Sequence, residues 1–265
     1  MCNKLGTFPF GQPVKAVCQS VTAAKQVFVL GVYASAVHAR WIGPDKKTIV
    51  SALAVDSEPA IFWRGENAKE IIEKIPVPVG AGSLVPAAQH LNGPSGRALD
   101  DQFLTPLGLT RSDVWLCDLV PYSCKNAGQK SALARTYDKK KDEWNLPDYD
   151  WEGVPDTLAN ESRCQAISQE LKEASPSVII TLGDQPLKWF TRRYKSEARL
   201  LDYGTSADNY GRLHDINIEG RAMKLLPLVH PRQAARLGSH SQEWSKCHEF
   251  WMKAIAPIIL KGVLI

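Results

Sequence analysis

Four short apolar runs constrain this chain more than any other feature. Residues 26–30 (QVFVL), 114–120 (VWLCDLV), 177–182 (SVIITL) and 223–229 (MKLLPLV) read as buried strands. Their ends fall at Gly31, in the 118–122 stretch, at Gly183-Asp184 and at His230-Pro231-Arg232. Helical patterns lie between and after them. Residues 64–75 place Ile71, Ile72 and Ile75 on one face and are closed by Pro76 and Pro78; residues 96–107 stop at Gly108. A further helix starts at Asp156 or Thr157 and runs to about Ala174, another carries Pro186 in its first turn, and residues 242–260 are mainly helical. Strands apolar on both faces, alternating with helices, predict an α/β fold: a three-layer α/β/α arrangement around a central, mostly parallel, four-stranded sheet. In such sheets functional sites lie outside the carboxyl ends of the strands, so those four ends are where chemistry is expected.

The remaining segments are less regular. Residues 48–55 (TIVSALAV) read as a β-rich segment after a Gly43-Pro44-Asp45 turn, suited to a sheet edge, and residues 80–94 read as loop. Residues 125–155 are polar, partly basic and rich in Trp and Tyr, longer than a compact domain's usual connection. This points to a functional insertion forming a lid or an extra pocket wall.

With 265 residues, 44% apolar and 23% charged, and no Pro/Gly/Ser-rich linker, the chain is expected to form one domain over residues 1–265. No stretch reaches the roughly 18 continuous apolar residues of a membrane span, and no leader pattern opens the chain, so a cytoplasmic protein without membrane contact is expected. Six scattered cysteines suggest free thiols. The formal net charge of +4 permits a nucleic-acid partner without requiring one. Lys139–Lys141, the Arg192/Arg193/Lys195 group, and Arg232 with Arg236 are candidates for phosphate contact. Solvated helix faces explain the first two groups equally well.

Taken together, several segments resemble the uracil-DNA glycosylase superfamily, its thermophilic-type and related bacterial branches in particular. These are N-G-P-S-G-R-A-L from Asn92 to Leu99, L-G-L-T-R-S-D-V from Leu107 to Val114, S-V-I-I-T-L-G from Ser177 to Gly183, and V-H-P from Val229 to Pro231. The resemblance implies a glycosylase fold, a flipped nucleotide of DNA as substrate and no obligate protein partner. The superfamily's first motif, G-x-D-P-Y, G-x-N-P-G or G-E-A-P-G, falls on Gly31, Val32, Tyr33, Ala34 and Ser35. Here Tyr33 replaces the water-orienting acid or amide and Ala34 the proline. Tyr33 is then either catalytic or a packed aromatic of the pocket.

Asp118 stands where the superfamily places an Asn that reads the edge of uracil. An ionised carboxylate only accepts hydrogen bonds, which suits the exocyclic amine of cytosine, and a protonated one also donates to the unprotonated ring nitrogen. The alternative is that Asp118 binds backbone amides near its loop. By resemblance His230 donates to the 2-carbonyl of the flipped base, while Pro231, Arg232 and Gln233 enter the groove, with Arg236 nearby. His38 and Arg40 are candidates for contact with the base substituent or flanking phosphates. Leu91 occupies the position of the relatives' stacking aromatic, beside Asn92 and Ser95, so stacking falls to Tyr33 or Trp63 unless Trp63 is core. The cysteine pair that opens the relatives' iron–sulfur ligand set is absent, and Cys124, Cys164, Cys2 and Cys18 are poorly spaced to replace it. No metal and no cofactor are expected.

The expectation is therefore a monofunctional DNA glycosylase acting on a modified cytosine, similar to bacterial phage-defence enzymes that remove glucosylated hydroxymethylcytosine. The alternatives are uracil removal in DNA repair, and a non-catalytic module of the same fold that binds modified DNA.

Overall fold

The computed structural model describes residues 5–20, 22–194, 197–204, 206, 209–236 and 241–264. Cys2 and Lys195, both named above, lie outside them. The strands are β1 (Gly6–Thr7), β2 (Val27–Tyr33), β3 (Ala36–Ile42), β4 (Thr48–Ser57), β5 (Ser83–Pro86), β6 (Val114–Val120), β7 (Asp150–Trp151), β8 (Val178–Leu182), β9 (His214–Ile218) and β10 (Arg221–Leu228). The helices are α1 (Ala68–Glu73), α2 (Pro94–Ala98), α3 (Ala127–Ala132), α4 (Asp138–Lys140), α5 (Glu161–Ala174), α6 (Asp184–Tyr194), α7 (Pro231–Ala234), α8 (Ser241–Ala254) and α9 (Ala256–Ile259). The chain forms two compact units, one of residues 1–17, 33–96 and 120–158, the other of residues 18–32, 97–119 and 159–265.

The second unit is built on a sheet of order β6-β2-β8-β10-β9. β2 runs parallel to β8 and β8 parallel to β10, so these three strands end on the same edge. The expected mostly parallel α/β sheet is thus present, but with five strands where the sequence reading gives four. The added strand, β9, joins β10 antiparallel through a two-residue turn at Glu219-Gly220. Its alternating burial, with Ile216 and Ile218 inward and Asp215 and Asn217 exposed, is that of a half-buried edge strand, which an all-apolar criterion does not find. One helix start also moves. Asn160, whose side chain accepts from the Arg163 amide at 2.9 Å, caps α5, so the helix begins at Glu161 rather than at Asp156 or Thr157. After α2, a π-helical stretch (Leu99–Leu104) and a 3₁₀ turn (Thr105–Leu107) run up to Gly108, the expected stop.

The first unit carries an antiparallel sheet of order β4-β3-β5 and a small β1-β7 pair. β4 takes the edge position its sequence suggested. β5 lies inside residues 80–94, where a loop was expected, because pairing with β3 supplies the order that its own composition does not. Likewise α1 is shorter than the 64–75 pattern, with Asn67 in a left-handed conformation before it. Residues 125–155 are no bare loop. Leu133, Tyr137, Leu146 and Trp151 from this stretch join Phe8, Phe10, Trp41 and Leu53 in the unit's core. The Tyr137 hydroxyl accepts from the Phe10 amide at 3.1 Å and donates to the Pro147 carbonyl at 2.9 Å, satisfying a polar handle inside an aromatic cluster.

Candidate functional site

β10 ends at Leu228, and two residues later His230 caps the short helix α7. The Arg232 amide donates to His230 Nδ1 at 3.1 Å, and the His230 amide faces Gln233 Oε1 at 3.4 Å. Pro231, at the first helical position, is buried there, where its missing N–H is no loss. Burial, reinforced by the Arg232 charge, pushes the imidazole down to about 4, so the ring is neutral near pH 7. A neutral ring whose Nδ1 accepts must carry its proton on Nε2, leaving one N–H donor for a ligand. Gly183, just beyond β8, fixes this residue from the side. Its φ is +91°, its amide donates to the Leu228 carbonyl at 2.7 Å, and a Cβ added there would lie 2.9 Å from His230 Cβ. The ends of β8 and β10 therefore meet with no room between them. Arg232 is exposed; Arg236, in a left-handed conformation, is ion-paired to Glu249 at 2.6 Å.

Asp118 lies in β6, whose seven residues are all buried, and is only 3% exposed itself. No described residue hydrogen-bonds its carboxyl. Burial, more than any neighbour, pushes that group up to about 7; the Arg163 charge opposes the shift and Glu170 adds to it. Arg163 of α5 grips the strand through its backbone, with Nη2 donating to the Asp118 carbonyl at 2.6 Å and Nε at 3.2 Å. Its Nη1 pairs with Glu170 at 2.7 Å, and the Trp115 indole donates to the other Glu170 oxygen at 2.9 Å. Near neutral pH Asp118 is thus divided between a carboxylate, which only accepts, and a neutral acid, which presents both a donor and an acceptor. The same unit holds Gly31 and Val32, at the end of β2.

Tyr33, Ala34, Ser35, His38, Arg40, Trp63, Leu91, Asn92 and Ser95 belong to the first unit. Tyr33, 38% exposed, closes β2. The Ala34 amide donates to the Val120 carbonyl at 3.2 Å, and the Ser35 carbonyl accepts from the Ser123 hydroxyl. His38 and Asn92 are joined backbone to side chain, the His38 amide donating to Asn92 Oδ1 at 2.7 Å and Asn92 Nδ2 to the His38 carbonyl at 2.9 Å. His38 Nδ1 is buried without a partner, and burial lowers the imidazole's pKa. Arg40 is exposed, Leu91 and Ser95 are half-buried, and Trp63 packs in the core with its indole on the Glu66 carbonyl at 2.9 Å. The glycine-rich turn around Ser95 lies directly on the 62–63 backbone: a Cβ on Gly96 would sit 2.1 Å from the Phe62 carbonyl oxygen. Among the described residues no group of three or more His, Cys, Asp or Glu stands where it could hold a metal ion.

A family profile described as Uracil DNA glycosylase superfamily matches residues 82–253, more than half of the chain. The chain belongs to the uracil-DNA glycosylase superfamily. No curated protein matches it. Members of the superfamily are generally DNA glycosylases, hydrolases that act on DNA. The matched region contains Leu91, Asn92, Ser95, Asp118 and the loop from His230 to Arg236. Gly31 to Ser35, His38, Arg40 and Trp63 precede it. No helix is long and apolar enough to cross a membrane among the described residues.

Within this superfamily member, sequence reasoning missed Arg163 and Glu170. Their signal is a charged pair seven residues apart on α5, beside a buried stripe of Cys164, Ile167, Leu171 and Ala174. It also missed Tyr210, whose hydroxyl accepts from the Val229 amide just before His230, and His248, which hydrogen-bonds that hydroxyl.

Proposed function

We propose that this superfamily member flips a cytosine-type base out of DNA and hydrolyses its glycosidic bond, and that the base carries a modification such as the glucosylated hydroxymethyl group found in phage DNA. The reading rests on Asp118, a fully buried acid that is half protonated near neutral pH. In its neutral form the carboxyl donates to the bare ring nitrogen N3 of cytosine while its other oxygen accepts from the 4-amino group. Passing that proton to N3 as the glycosidic bond breaks lets the base depart neutral rather than as an anion. His230, with its proton on Nε2, donates to the 2-carbonyl, where leaving-group charge collects. Water then captures the sugar cation and gives up one proton to solvent, while the Asp118 carboxylate is reprotonated for the next turnover. A modification must be required, since an enzyme that removed ordinary cytosine would destroy the DNA of its own cell.

One observation favours a second reading, uracil removal. The same neutral carboxyl accepts from the N3–H of uracil and donates to its 4-carbonyl. The two readings differ in what the proton does, because uracil already carries a hydrogen on N3. The experiment uses duplex and single-stranded oligonucleotides containing uracil, hydroxymethylcytosine or glucosylated hydroxymethylcytosine, treated with the protein and then with alkali. Strand breaks confined to a cytosine-type base support the proposal, and breaks at uracil alone replace it with the second reading. Shifted but intact strands in a gel identify a binding module without catalysis.

A further inference from the structure

We infer that Tyr210 and His248 are positioning residues that hold the His230 loop in register through a directed chain of buried hydrogen bonds. This rests on the reading of His230 as the donor to the departing base. The chain begins at the Val229 amide, which has left the β10 ladder and donates to the Tyr210 hydroxyl at 3.0 Å. The Tyr210 hydroxyl contacts His248 Nδ1 at 2.8 Å, and His248 Nε2 contacts the Gln102 carbonyl at 3.0 Å. Chemistry fixes every direction. A carbonyl only accepts, so Nε2 carries the His248 proton; Nδ1 of that neutral ring is then bare and takes the Tyr210 proton; the tyrosine oxygen is left to accept from Val229. Reversing any link would leave a buried group unsatisfied.

Packing gives the chain its stiffness. Tyr210 and His248 are each 1% exposed. The His248 ring lies 4.4 Å from Phe103 and stacks on Trp251 at 5.0 Å, and the Trp251 indole donates to the Gly211 carbonyl at 3.0 Å. Burial also lowers the His248 pKa to about 4 and raises that of Tyr210, so both remain neutral through the pH range where the chain must act. His230 is consequently held on two sides, by the fixed Val229 backbone before it and by Gly183 beside it. A donor displaced by about 1 Å loses on the order of 100-fold in rate, so a device with no role in binding can govern turnover.

Tyr210→Phe keeps the ring and removes the hydroxyl. On whichever oligonucleotide the wild type cleaves, it should lower kcat about 10- to 100-fold and change KM by less than about 3-fold. Independently of activity, the ring-nitrogen NMR signals of His230, assigned by their absence in His230→Gln, should move in Tyr210→Phe. His248→Asn, which restores an acceptor for Tyr210 but no donor to Gln102, should show an intermediate shift. A folded Tyr210→Phe with unchanged His230 signals overturns the inference. Should Tyr210→Phe not fold, the His230 signals of His248→Asn and slow hydrogen exchange at the wild-type Val229 amide decide it, and an unshifted ring with a fast-exchanging amide also overturns it. Absence of cleavage on every substrate, with the NMR shifts present, counts against the proposed reaction and leaves the positioning chain standing.

Discussion

Asp118→Asn separates the charge of Asp118 from its shape, because the amide is nearly isosteric and never ionises. The carboxyl has an ordinary value of 3.8 and titrates at about 7 in the fold, with burial the main cause. Between those two pH values the folded protein binds the proton more tightly than the unfolded chain does. Stability therefore falls as pH rises through that window. Integrated over it, the burden of burying the carboxylate is ~2 kcal/mol at pH 5 and ~4 kcal/mol at pH 8. The amide escapes it, so the stability of Asp118→Asn relative to wild type should increase by ~2–3 kcal/mol between pH 5 and pH 8. Whatever the amide's own hydrogen bonding adds is the same at both pH values and cancels. Urea unfolding followed by the fluorescence of the eight tryptophans at a series of pH values measures this difference directly. A difference flat in pH would refute the reasoning, for it would mean that Asp118 ionises as freely in the fold as in water. The same variant tests the chemistry: it should improve uracil excision, and lower kcat on a cytosine-type base with little change in KM, since an amide has no proton to give to N3.

His230→Ala removes the Nε2–H donor and should lower single-turnover excision about 100- to 1000-fold with KM nearly unchanged, as read by alkali cleavage. Gly183→Ala places a methyl 2.9 Å from His230 Cβ at a φ of +91°; a loss of ~1–3 kcal/mol in urea unfolding is expected, together with a fall in kcat. Arg163→Met strands the Glu170 carboxylate in a site where the pair's side chains are 13% and 17% exposed, so a loss of ~3 kcal/mol is expected, most of it recovered in the Arg163→Met/Glu170→Met double variant. Additive losses in the double variant would show that the two residues act separately.

The central sheet was legible where strands are apolar on both faces. β6 and β8 are buried at every position, and no helix of that length hides in such a run. The strands that escaped notice carry mixed chemistry. β3 includes His38 and Arg40, β5 ends in Pro86, and β9 alternates, so each owes its conformation to a neighbour rather than to its own composition. Asp118 stood out as a polar residue inside an apolar run at the position of the superfamily's Asn, and His230 as the start of an H-P loop after a buried strand. What the sequence could not carry was their protonation, which follows from burial at both residues and, for the His230 tautomer, from the Arg232 amide that donates to Nδ1. Arg163, Glu170, Tyr210 and His248 were invisible for a related reason: apart from the Arg163–Glu170 pair within α5, the hydrogen-bond partners of their side chains lie 19 to 146 residues away.

Arg236 enters any encounter with DNA already neutralised by Glu249. A phosphate that reaches it must first displace a carboxylate, so its contribution to counterion release is largely spent inside the protein. Among the described residues Arg232 has no such ion pair. The salt sensitivity of nucleic-acid affinity should accordingly track Arg232 and hardly register Arg236, and removing Glu249 would turn a silent cation into one that the ionic strength of the medium can feel.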